Sequence, residues 1–123
     1  MKESIIKDKS MSFAIRVVRC YKYLVEEKHE FTLSKQMLRC GTSIGANIKE
    51  ALRGQSRPDF IAKMNISLKE ANECEYWIEL LTNTEYLPQD SAQSLPGRLS
   101  GINKNLNLNR KVSEREITMN YEL

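Results

Sequence analysis

The side chains able to do chemistry fall into groups of like charge. Lys35 and Arg39, and again Lys49 and Arg53, are cations four residues apart. On a helix that spacing puts both members of a pair on one face, where they could grip phosphates or simply form a solvated surface. Between the pairs, Ser43, Asn47 and Glu50 follow at i, i+4 and i+7. They read either as ligand contacts or as half-buried hydrogen bonds that fix a helix in register. Arg16 and Arg19 add cations upstream, and Arg98, Lys104, Arg110, Lys111 and Arg115 form a weak basic arm near the end. Glu70, Glu73, Glu75 and Glu79 form the acidic counterpart. Iron-binding bundles join such carboxylates to Glu-x-x-His pairs on facing helices. The single histidine here, His29, stands far from them, so solvated surface or ion pairs between subunits is the better reading.

Cys20, Cys40 and Cys74 are odd in number, widely separated and set in apolar segments. They lack zinc-site spacing and read as reduced, buried thiols. GxxxxGK[ST], GxGxxG and HExxH are absent. The expectation is therefore a non-enzymatic protein with no catalytic residue, no metal, no cofactor and no small-molecule substrate.

At 123 residues the chain fits one ordinary domain. Five Gly and three Pro are too few for the turns of a small all-β barrel or sandwich. No apolar run approaches the ~20 residues of a membrane span, and the first residues lack the apolar core of a signal peptide. A soluble, cytoplasmic protein is expected. The net charge of +3 is unevenly placed. Residues 1–28 carry seven Lys/Arg against four Asp/Glu and residues 29–56 four against two, whereas 57–86 carry three against six. Such polarity suits nucleic acid or contacts between unlike faces of identical subunits.

Apolar spacing supplies the elements that must position these groups. Phe13, Val17, Tyr21, Leu24 and Val25 trace a helix over 10–28, with Ser10 or Ser12 as its cap. Leu33, Met37, Cys40, Ile44, Ile48, Ala51 and Leu52 trace a second over 34–53. Gly41 and Gly45 lie on one face of it, and each costs about 1 kcal/mol as helix material. That cost makes sense if a partner helix comes close. Gly54 ends this helix as a C′ glycine and Ser56 caps the next. A long helix over 57–84 carries Phe60, Met64, Leu68, Ala71, Ile78 and Leu81, widened by Ile61, Trp77 and Leu80. A fourth, over 90–108, carries Leu95, Leu99, Ile102 and Leu106, with a kinked or frayed start at Pro96-Gly97.

Four amphipathic segments with short connections imply an all-α, antiparallel up-down four-helix bundle over residues 1–108, followed by a polar tail over 109–123. Because the third helix is apolar around more than half its circumference, Phe60, Trp77, Ile78 and Leu81, flanked by Glu70 and Glu73, are expected at an interface with a second copy.

The run Gln36-Met37-Leu38-Arg39-Cys40-Gly41-Thr42-Ser43-Ile44-Gly45-Ala46-Asn47-Ile48-Lys49-Glu50-Ala51, followed by Phe60 to Ala71 and Glu73 to Leu81, resembles the four-helix-bundle proteins encoded by intervening sequences of bacterial 23S ribosomal RNA genes. The resemblance covers about residues 10–108. It implies a bundle assembling as a cyclic homo-oligomer, most simply a pentamer, and favours a nucleic-acid association. The expected RNA or DNA contacts are Arg16, Arg19, Lys35, Arg39, Lys49, Arg53, Arg110 and Lys111. Binding would be tolerant of sequence, because no aromatic stacking platform is evident among these cations. The alternative is a protein-binding scaffold or adaptor ring with no nucleic-acid role.

Overall fold

The computed structural model describes residues 2–54, 56–90, 100–107 and 111. Its long elements are α1 (Lys2–Glu26), α2 (Leu33–Leu52) and α3 (Arg57–Asn83). Residues 100–107 form a further helical segment, α4, and no strand occurs among the described residues. The expected irregularity at Pro96-Gly97, and the tail apart from Lys111, lie outside the described residues.

α1 starts eight residues earlier than the apolar pattern suggests. Ile6 is fully buried and extends the stripe of Phe13, Val17 and Leu24 backwards by two turns. Ser10 is no cap. It lies within the helix, buried, and its hydroxyl donates to the Lys7 carbonyl at 2.9 Å. After α1, His29 takes a left-handed conformation (φ 54°) and the Glu30 amide returns to the Leu24 carbonyl at 2.9 Å. That wrapping bond closes the helix end without glycine.

α2 is the central element. It packs against both α1 and α3, whose backbones do not approach each other closely. The two interfaces are built differently. Against α1, a Cβ on Gly41 would stand 2.8 Å from both γ-carbons of Val17, and one on Gly45 would stand 3.4 Å from the Ser10 hydroxyl. The costly glycines of α2 thus admit α1 at close range, as their spacing suggests. Against α3, the buried Ser67 hydroxyl donates to the Ile44 carbonyl at 3.0 Å, and Lys63 pairs with Glu50 at 3.0 Å. Along both interfaces rising numbers on one helix meet falling numbers on the other, so the neighbours are antiparallel.

Ser56 caps α3 as expected, its side chain accepting from the Asp59 amide at 3.2 Å. Gly54 departs from expectation, since no glycine among the described residues has positive φ. Space around it is tight: a Cβ there would stand 3.0 Å from the Ala51 carbonyl oxygen, and 2.7 Å from an exposed Asp59 carboxylate that can swing aside. α4 lies beside α1, with Gly101 near the Lys9 ammonium, and buries Ile102 and Leu106. The core runs from Ile6, Phe13, Val17 and Leu24 through Met37, Ile44 and Ile48 to Met64, Ile78 and Leu81.

Candidate functional site

Arg39 projects from α2 toward the acidic edge of α3. Its guanidinium donates to Glu73 at 2.6 Å and to Glu70 at 3.3 Å, and lies 3.2 Å from the Cys40 sulfur. Trp77, one turn beyond Glu73, sends its indole N–H to the same carboxylate at 3.5 Å. The neighbouring Cys40 thiol, followed by Trp77 and Arg39, holds Glu73 below the usual carboxylate range against the opposing effect of burial. Burial, reinforced by the carboxylates, pushes the Cys40 thiol up to about 12. Such a thiol stays protonated at neutral pH and is a poor nucleophile.

The donor atoms of Cys40, Glu70 and Glu73 lie within 4.8 Å of one another, a separation that could hold a metal ion. The guanidinium already supplies the cation that this set needs, so the arrangement works as an ion-pair lock between α2 and α3. Within one chain Arg39, expected at a nucleic-acid contact, pairs with Glu70 and Glu73, expected at a subunit interface.

Other candidate residues separate by burial. Ile78 (1% exposed) and Leu81 (fully buried) face the chain's own core and have no surface to offer a second copy. Phe60 and Trp77 are half-buried against that core. The third helix is apolar around more than half its circumference because it must cover both α2 and the rest of the core. The large apolar side chains left outside are Ile66 and Tyr76 on α3, Ile5, Met11, Ile15 and Val18 on α1, and Phe31 between α1 and α2. Met11, Ile15 and Val18 follow at i, i+4 and i+7 and make a continuous outward stripe. They fell outside the core pattern of α1, and that exclusion was the signal available in the sequence.

Lys35, Lys49 and Arg53 are exposed along the outward face of α2. From Lys35 to Arg53 is 18 residues, about 27 Å of helix. Ser43, Asn47 and Glu50 do not act as a unit: Asn47 bonds the Ser43 carbonyl of its own helix at 2.9 Å, and Glu50 alone crosses to α3. Lys111 is exposed, while Arg110 lies outside the described residues. On α1, Arg16 and Arg19 border a groove of about 280 Å³ completed by Cys20, Tyr23, Leu87 and Pro88.

These features define a small antiparallel helical bundle with its charged groups on the outer faces of α1, α2 and α3. The chain belongs to the 23S rRNA-intervening sequence protein family, whose model matches residues 2–108. The match takes in the early turns of α1 that the apolar pattern left out. A solved structure of a protein from the S23 ribosomal protein family of Bacteroides thetaiotaomicron, described as of unknown function, is 56% identical and superimposes with a TM-score of 0.89, covering 90% of this chain and 99% of that one. No curated protein matches the chain. No helix among the described residues is long and apolar enough to cross a membrane.

Proposed function

We propose that this protein is a non-enzymatic, self-assembling helical scaffold of the cytoplasm that binds RNA or DNA through the phosphate backbone. The observation that carries the reading is the outward face of α2. Lys35, Lys49 and Arg53 stand exposed along it, while the one cation of that helix with carboxylates in reach, Arg39, is drawn away to α3. Arg16 and Arg19 extend the positive surface on α1. Assembly is supported by complementary faces. The outward stripe Met11, Ile15 and Val18 lies among the cations of α1, whereas Ile66 and Tyr76 lie on the acidic α3. The two apolar patches lie on the outward sides of different helices, so contact between them in neighbouring copies is head-to-tail and closes into a cyclic homo-oligomer. The family resemblance makes five-fold closure the simplest form.

Nitrocellulose filter binding of ribosomal RNA fragments tests the reading. Retention at low salt that falls linearly with the logarithm of salt concentration is expected. No retention at low salt by a folded protein overturns it. The exposed apolar stripe on α1 favours a second reading, a ring that recruits another protein. A pull-down from nuclease-treated lysate that still captures a defined partner, combined with no RNA retention, selects that reading.

A further inference from the structure

The groove beside α1 combines two kinds of surface. Arg16 and Arg19 bring positive charge to it, and Arg16 is close enough to Cys20 to counter partly the effect of burial on that thiol. Tyr23, Leu87 and Pro88 contribute a largely apolar wall, with Leu87 only 3% exposed. Arg16, Cys20 and Tyr23 follow at i, i+4 and i+7, so they form one edge of α1. That edge lies roughly a third of a turn from Met11, Ile15 and Val18, so assembly through the apolar stripe leaves the groove open. Its floor and far wall come from the segment that follows α3.

We infer that this groove takes one unstacked nucleobase of a single-stranded nucleic acid, with the adjoining phosphate on Arg16 and Arg19 and the base against Tyr23, Leu87 and Pro88. The inference rests on the nucleic-acid reading above and sharpens it: the molecule prefers single strands to duplex. Three features converge on that ligand. The volume of about 280 Å³ sits at the small end of ligand sites, near 300 Å³, and suits a single base better than an extended ligand. Single-strand binders combine a cationic track with an aromatic side chain on which a base stacks. A paired base cannot enter, because its face is covered by its neighbours in the duplex. Tyr23 is the aromatic element that the sequence pattern of cations did not reveal. It lies outside the apolar stripe of α1, and only folding brings it together with the two arginines and the segment after α3.

Cys20 provides a reporter inside the groove, since Cys40 and Cys74 are buried in the core. The test uses the full chain, a fluorescein-labelled 12-nucleotide single-stranded RNA and the same RNA annealed to its complement, at low salt. Anisotropy is expected to show the single strand bound roughly tenfold more tightly than the duplex. Saturating single strand should slow modification of Cys20 by 4,4′-dithiodipyridine severalfold, and the duplex should not. Tyr23→Ala should remove the single-strand preference, and Tyr23→Phe should keep it. Should Tyr23→Ala not fold, protection of Cys20 in the unaltered protein decides the matter alone. RNA that binds but leaves the Cys20 rate unchanged, or binds equally well as duplex, overturns the groove assignment while leaving the phosphate-binding reading standing. RNA that does not bind at all overturns both.

Discussion

Gly41 of α2 and Val17 of α1 are in such close contact that a Cβ on the glycine would stand 2.8 Å from both branches of the valine. Val17 is fully buried and β-branched, so it has no easy rotamer in which to retreat. Gly45, one turn later on the same face, leaves 3.4 Å to the Ser10 hydroxyl, which is ordinary contact. The same substitution should therefore have opposite signs at the two positions. Gly41→Ala gains about 1 kcal/mol of helix propensity but loses roughly 1–3 kcal/mol to overpacking, a net destabilisation. Gly45→Ala should keep most of its propensity gain. Urea unfolding of both variants checks this, and Gly41→Ala should become stabilising when combined with Val17→Ala.

Glu30 should make stability depend on pH. It is 8% exposed, and its carboxylate accepts from the backbone amides of Thr32, Leu33 and Ser34 at 3.1, 2.8 and 2.7 Å. It thereby caps α2, whose N-cap residue Thr32 makes no side-chain bond. Burial pushes its pKa up, but these amides and the Ser34 side chain outweigh burial, and the net shift is downward. A depressed carboxyl pKa stabilises the fold above the unfolded value, near 4.3, and that contribution fades as pH falls through the folded value. Glu30→Ala should cost about 1–2 kcal/mol at pH 7. The gap between variant and wild type in denaturant titrations should narrow below about pH 4.

The three thiols should separate by reactivity. Cys40 and Cys74 are fully buried, and burial raises both thiols well above the ordinary range. Cys20 is half-buried at the groove. Iodoacetamide at pH 8, followed by peptide mass spectrometry, should label Cys20 first. The other two should react only when the protein is unfolded.

Arg39 should prove structural and its helical neighbours functional. Arg39→Gln removes the cation between Glu70 and Glu73 and leaves two carboxylates to repel each other. It should lower the melting temperature at pH 7, less so as pH falls through the depressed pKa of Glu73. Its affinity for RNA should stay close to wild type. Lys49→Gln and Arg53→Gln should leave the fold intact, weaken RNA retention and each reduce the salt slope by about one. Equal loss of RNA affinity in all three variants would contradict this division.

What the sequence determined by itself was the helical framework. Apolar residues at 3.6-residue spacing fix α2 and α3 nearly to the residue, because burial of one face is a local, periodic demand. Gly41 and Gly45 announced a close helix contact for the same reason: poor helix formers on one face need a tertiary gain. Ser56 was legible as a cap because capping is settled within one turn. The tertiary structure decided everything that depends on which faces meet. It sent Arg39 to Glu70 and Glu73, buried Ile78 and Leu81 within a single chain, and left Met11, Ile15 and Val18 outside. It also turned Glu30, two residues beyond the expected end of one helix, into the cap of the next. Above all it joined Arg16, Arg19 and Tyr23 to Leu87 and Pro88, more than sixty residues away in sequence. Charge and hydropathy along a chain say what each side chain prefers as a surrounding, and only packing decides which partner satisfies that preference.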